Sequence, residues 1–379
     1  MVDTGVSDST ADSVHSEETD ALRISEISKT GYQLLKENKI DESIACFSKI
    51  LLIDENNNYA LVGLGDAERK MGSVNDAAKY YQRCLDHHPG NNYALFGLAD
   101  CYKAMNQYQK AINIWELYLL HDDKNITVLT RIADAYRKVR NFASSKKTYQ
   151  KVLEMEENNA YAIIGLGHLH YDFKDYKEAL YYWEMMLSSA KTEVDIRVLT
   201  SIGNCHRKIK TFKEGIQYFE SALSRDKRNF YALFGLADCY RGLINYEKSL
   251  EYWNRILEHD SKNKMILTRA ADALRNLKNY EKAKTFYERA LNIEFDTYAV
   301  LGLALTAKVQ GKYDEAITSL IRLIQQDNKN YRFYIELSDC YFKSGSKKQA
   351  IEALESYHKF GIKNQKIQEL LDTFKESFK

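Results

Sequence analysis

No stretch of this chain carries a familiar catalytic constellation: there is no H-E-x-x-H, no G-x-S-x-G, no P-loop and no glycine-rich phosphate loop. What recurs instead is a set of groups suited to holding something. One set reads Tyr, apolar, Gly, Asp, as in Tyr59-Val62-Gly63-Asp66, Tyr93-Phe96-Gly97-Asp100 and Tyr231-Phe234-Gly235-Asp238. Tyr161-Ile164-Gly165 and Tyr298-Leu301-Gly302 are copies without the Asp. A second set puts Thr-Arg where the first has its apolar-Gly pair: Thr130-Arg131-Asp134 and Thr268-Arg269-Asp272, with Thr200-Ser201-Asn204 a weakened copy. Basic residues follow at a fixed later position, among them Arg69, Lys103, Arg137, Arg207, Arg241 and Arg275. Repeated guanidinium, carboxylate and phenol groups do recognition chemistry through charge-assisted hydrogen bonds, with Phe96, Ile164, Phe234 and Leu301 for apolar contact.

Two structural explanations compete with that reading. Arg131 and Asp134, like Arg269 and Asp272, are three residues apart and can pair on one helix face, which stabilises an exposed helix by only a few tenths of a kcal/mol. More broadly, the charges could form an Asp–Arg ladder between neighbouring elements. The glycines are equally two-sided. Each costs ~1 kcal/mol against alanine inside a helix, so five at one position imply either close helix packing or an open floor for a partner.

The remaining reactive residues point to packing. His168 and His170 form H-L-H, a spacing that turns them to different helix faces, and His87-His88 stands beside Pro89 at the surface. Cys101, Cys205, Cys239 and Cys340 recur at one point of the pattern with no C-x-x-C pair, as small apolar residues would. We expect no cofactor, no metal site and no catalytic residues.

The elements that position these groups come from a repeat. Asn91 to Asn125 returns at Phe230 to Asn263 with about half its positions identical, and weaker copies lie around both. Within the unit, Leu95, Leu98, Ala99 and Tyr102, then Ala111, Trp115 and Tyr118, mark two amphipathic helices joined near Met105–Asn106. The unit resembles the tetratricopeptide repeat, whose preferred residues are Trp, Leu, Gly, Tyr, Ala, Phe, Ala and Pro. Here Leu95 stands in the Trp slot and Asp123 in the Pro slot, and only Pro89 keeps the terminal proline. The resemblance covers residue 24 to the end. It implies an all-α, right-handed superhelical solenoid whose first helices line a concave groove.

The expected organisation is a disordered acidic tail (1–23), ten repeats (24–57, 58–91, 92–125, 126–159, 160–195, 196–229, 230–263, 264–296, 297–330 and 331–364) and a capping helix (365–379). About two extra residues near 188–193 mark a place for a seam. From 92 as far as 297–330 the two sets alternate, so the repeating unit there is a pair of repeats. On the family's groove positions, the partner-binding candidates are Tyr59, Tyr93, Phe96, Asp100, Arg131, Asp134, Tyr161, Ile164, Asn204, Arg207, Tyr231, Phe234, Asp238, Arg269 and Asp272. A clamp for C-terminal carboxylates, which some family members build from Lys, Asn and Arg, is matched only at Asn204 and is not expected.

Composition bounds the rest. The chain has 379 residues, 45% apolar and 28% charged, with one proline and a formal net charge of +1. A single proline favours an almost wholly helical body, and near-neutral charge argues against nucleic acid as a partner. No apolar run is long enough for a membrane span, and unpaired cysteines fit a reducing cytoplasm. The Lys/Asn/Tyr-rich style suggests a bacterial source. The expectation is a cytoplasmic protein-interaction scaffold that binds a protein or peptide partner of unknown identity in its groove. The alternative is a homo-oligomer associating through its ends or through surfaces such as Trp115, Trp183 and Trp253.

Overall fold

The computed structural model of the chain describes residues 9–189 and 193–376, and every regular element among them is an α-helix. The chain divides after Ala190, at the extra residues noted above, into two compact units. Unit 1 holds α1 (Ser9–Lys36), α2 (Ile40–Leu51), α3 (Asn58–Met71), α4 (Val74–His87), α5 (Asn92–Ala104), α6 (Tyr108–Leu119), α7 (Ile126–Lys138), α8 (Phe142–Met155), α9 (Ala160–Asp172) and α10 (Tyr176–Ser189). Unit 2 holds α11 (Ile196–Ile209), α12 (Phe212–Arg225), α13 (Phe230–Gly242), α14 (Tyr246–Leu257), α15 (Lys264–Asn276), α16 (Tyr280–Ile293), α17 (Thr297–Val309), α18 (Tyr313–Gln326), α19 (Tyr331–Lys343), α20 (Lys347–His358) and α21 (Gln365–Glu376). Within each unit every helix packs on the next, an all-α repeat solenoid.

Local chemistry sets the boundaries. Asn57, Asn91, Asn125, Asn159, Asn229 and Asn263 cap first helices, each side chain accepting from the backbone N–H three residues on. Between the two helices of a pair the chain turns through one left-handed residue: Gly72, Gly311 and Gly345 in three turns, and non-glycine residues such as Asn106 and Ile244 in others. Ile244, at φ 61°, is β-branched and 72% exposed, so nothing packs there to offset the strain.

The core is a stack of rings set against small residues. Phe47 lies between Gly31 and Gly63, Tyr81 between Gly65 and Gly97, and Phe219 between Gly203 and Gly235. Tyr149 and Tyr287 press on Gly165 and Gly302 in the same way. A Cβ at any of these glycines would come within 3.0 Å of a ring atom. The repeated glycine is therefore a packing position, and the open-floor reading of it is overturned. Trp115, Trp183 and Trp253 fill the same second-helix slot and are 0 to 2% exposed, so they offer no surface for self-association. Where alanine's place in the second helix is taken by serine, the hydroxyl is satisfied: Ser43, Ser145 and Ser249 donate to the carbonyls of Gly31, Ala133 and Ala237.

Two terminal features complete the description. Residues 9–23, expected as disordered tail, are the first turns of α1. No proline interrupts them. Residues 1–8 lie outside the described residues, as do 190–192 and 377–379. At the other end α21 buries Ile367, Leu371 and Phe374 against Tyr334, Leu354 and Tyr357, covering the last pair.

Two substitutions test this packing. Gly235→Ala should lower the urea unfolding midpoint of unit 2, by about 1–3 kcal/mol of stability, because overpacking against Phe219 outweighs alanine's helix preference. Ile244→Gly should raise it by about 1 kcal/mol by releasing the left-handed strain.

Candidate functional site

The first helices present one face on which the recurring polar groups collect. Tyr59, Tyr93, Tyr161, Tyr231 and Tyr298 are 59%, 79%, 78%, 68% and 72% exposed, so no core contact accounts for their rings. Phe96, Ile164 and Phe234 are half-buried beside them, whereas Val62 and Leu301 are buried. Phe96 and Phe234 are not open pockets: the Arg131 guanidinium lies 4.7 Å over Phe96, and those of Arg269 and Arg207 lie 5.1 and 5.8 Å from Phe234.

The charges form a ladder between first helices. In unit 1, Asp100 accepts from Arg69 of the preceding pair at 3.3 Å and from Arg131 of the following one. Arg69 also reaches Asp66 at 3.1 Å, and Arg137 joins Asp134 at 3.4 Å to Asp172 at 2.5 Å. In unit 2, Asp238 is held by Arg207 at 2.7 Å, Arg241 at 2.8 Å and Arg269 at 3.5 Å. Burial alone would push the Asp238 carboxyl up, yet Arg207 and Arg241 hold it below the usual carboxylate range.

The same-helix pairs expected at Arg131–Asp134 and Arg269–Asp272 do not form. Each arginine reaches back to the preceding first helix, because the Asp beside it is already engaged. Asp134 accepts from the Tyr149 hydroxyl at 2.7 Å and from Arg137; Asp272 accepts from the Tyr287 hydroxyl at 2.6 Å and from Arg275. Asp66 takes the Tyr81 hydroxyl in the same way. Burial, and then the adjacent carboxylate, push these three phenols well above their usual range. Asn204 belongs to this row too: its neighbour in the ring slot is Phe219, which has no hydroxyl to place, and its amide oxygen accepts from Arg207 at 3.2 Å.

One cleft opens on this face in unit 1, about 1250 Å³, lined by Ile24, Tyr32, Tyr59, Val62, Asp66 and Tyr93 among others. Its α1 wall was not among the sequence candidates, since α1 carries neither recurring set. The Tyr32 hydroxyl donates to the Tyr59 carbonyl at 3.0 Å and ties α1 to α3.

No group of three or more His, Cys, Asp or Glu among the described residues could hold a metal ion. His170 is buried, with Nδ1 3.1 Å from Asp175, and His206 stacks on Tyr218 with Nδ1 2.8 Å from Thr211. Burial pushes the Cys84, Cys101 and Cys340 thiols up to about 11 and Cys239 to about 12, away from nucleophilic thiolate.

Sequence profiles of the tetratricopeptide repeat match residues 68–130, 130–188, 196–229, 266–297 and 310–361, well over half of the chain. The chain belongs to the tetratricopeptide repeat family. No curated protein is a significant match. Among solved structures, a tetratricopeptide repeat protein from Parabacteroides merdae is similar at 14% identity and TM-score 0.52, over 66% of this chain and 98% of that one. Yeast Tom70 aligns over 94% of this chain and 96% of its own at 12% identity and TM-score 0.40, and MamA over 45% and 92% at 20% and 0.41. No helix among the described residues is long and apolar enough to cross a membrane.

In this tetratricopeptide array the candidates thus separate by role. Asp100 and Asp238, with Arg131, Arg207 and Arg269, tie neighbouring repeats together; Asp134 and Asp272 hold the phenol of their own pair, while the tyrosines face outward. Asp238→Asn should destabilise unit 2 by about 3–5 kcal/mol at neutral pH by leaving three guanidinium groups without their carboxylate. The folded carboxyl titrates below its unfolded value, so this stability is present above about pH 4 and fades as pH falls below it. Thermal melts of wild type and variant should therefore converge in acid.

Proposed function

We propose that the protein is a non-enzymatic interaction scaffold whose ten helix pairs act as repeats and whose first-helix faces bind a segment of a partner protein. One observation carries this reading: a tyrosine recurs at one position of the first helix in five pairs, and all five are more than half exposed. A Tyr ring left in water is not needed for folding, and Tyr supplies large contact area with few rotors to freeze on binding. The charge ladder supports the mechanism. It fixes the arginines and aspartates against one another before any partner arrives, so little ordering accompanies binding. The half-buried Phe96, Ile164 and Phe234 sit beside the tyrosines as apolar contacts. Self-association loses its proposed tryptophan surfaces, and we favour a heterologous partner.

A photo-crosslinking residue placed at Tyr93 or Tyr231 in the expressing cell, with Lys79 and Tyr181 on second helices as controls, tests the reading. We expect a discrete adduct from the first-helix positions that disappears on Tyr→Ala substitution at the neighbouring first-helix tyrosines. Adducts formed equally at Lys79 or Tyr181 would move the binding surface elsewhere.

A further inference from the structure

The two units are built on the same register but differ in charge. In unit 1 the first-helix positions of the ladder carry Arg69, Lys103, Arg131 and Arg137 with Asp66, Asp100, Asp134 and Asp172, four cations for four carboxylates, and Arg69, Arg131 and Arg137 are ion-paired within it. In unit 2 the corresponding cations are all present, as Arg207, Arg241, Arg269 and Arg275. The carboxylates are not: Asp238 and Asp272 remain, but Asn204 stands in the place of Asp66 and Val309 in that of Asp172. Two positive charges are left over. Lys308, next along, does not add to them, being matched by Glu336 and by Asp339 at 2.9 Å.

The missing carboxylates show in the geometry. Arg269 reaches Asp238 only at 3.5 Å. Burial, reinforced by repulsion from Arg241 and Arg207 and opposed by Asp238, holds its guanidinium below the usual range. Arg275, 21% exposed, pairs with Asp272 at 3.5 Å and with the Tyr287 hydroxyl, and Val309, 55% exposed, stands where unit 1 has a second carboxylate. Arg241 is 48% exposed and Arg269 35%, so both can be reached from solvent. Beside them on the same face stand exposed apolar groups: Tyr231, Met265 at 43% and Tyr298.

We infer that unit 2 carries an anion subsite at Arg241, Arg269 and Arg275 that takes the carboxylate side chains of an extended, acidic and apolar segment of a partner protein. This rests on the first-helix face being the binding face. Guanidinium forks match carboxylates in two-point geometry, and Arg269, one turn along α15 from the exposed Met265, sets a cation beside an apolar group, as a segment with neighbouring acidic and apolar side chains requires. The formal net charge of +1 and the aspartates set among these arginines favour a protein segment over a nucleic acid, which carries a charge at every nucleotide.

The test uses the full chain and two short fluorescein-labelled peptides, one alternating Glu with Leu and the other Gln with Leu, read by anisotropy at several salt concentrations. The Glu peptide should bind about tenfold more tightly than the Gln peptide, with the gap closing as salt rises. In the double variant Asn204→Asp with Val309→Asp, which puts a carboxylate back at both positions, the preference should fall to about equal while the thermal melt is kept. Equal affinity for both peptides in the wild type, or a preference that survives the double variant, overturns the anion subsite. So does binding of neither peptide, or tighter binding of an oligouridylate than of the Glu peptide. In all of these cases the crosslinking result still decides the binding face independently.

Discussion

The structure depends on one contact repeated along the chain: an aromatic ring from the second helix of a pair, seated between a small residue of its own first helix and a glycine of the next. A ring is flat and rigid, so it sets the separation of three helices at once. It can do so only where no Cβ intervenes. Gly63, Gly97, Gly165, Gly235 and Gly302 all meet a ring in this way. The glycines forgo helix propensity and gain close packing, which in a solenoid is the interface term that joins one repeat to its neighbour.

The alternation of two repeat types follows from the same contact. Where the ring is Phe or Tyr, the next first helix carries glycine; where it is Trp115 or Trp253, the next first helix carries Arg131 or Arg269. Those arginines lie along the neighbouring phenylalanines and reach back to Asp100 and Asp238. The Tyr-containing repeats use their aspartates differently, as acceptors for the buried phenol. One choice of ring thus sets which residue follows it and which group its aspartate must satisfy. The tyrosines at 59, 93, 161, 231 and 298 are the part of the pattern that packing leaves unexplained, and the proposed partner surface rests on them.

The sequence made much of this visible. The Asn caps, the paired helices, the closing helix and the outward tyrosines all follow from spacing and residue type, because each is a local property of one repeat. What stayed hidden links residues in different repeats. Arg131 and Asp134 are neighbours along one helix, but only the packed structure reveals that the Tyr149 hydroxyl has already claimed Asp134 and turned Arg131 toward Asp100. The ring and its glycine are likewise far apart in the chain, although Tyr81 with Gly97 and Phe219 with Gly235 recur at one fixed step that could have been noticed. Residues 9–23 looked like solvated tail by composition, whereas they form the first turns of α1, in a stretch with no proline to break it.

A double-mutant cycle on Phe219 and Gly235 tests the central contact most directly. Gly235→Ala is measured by urea unfolding in the wild type and in a Phe219→Leu background, where the flat ring is gone. If the ring dictates the glycine, the alanine is destabilising in the first case and neutral or stabilising in the second, a coupling of about 1–3 kcal/mol. The same penalty in both backgrounds would mean that the glycine serves something other than the ring, and the account of how these repeats are joined would fail.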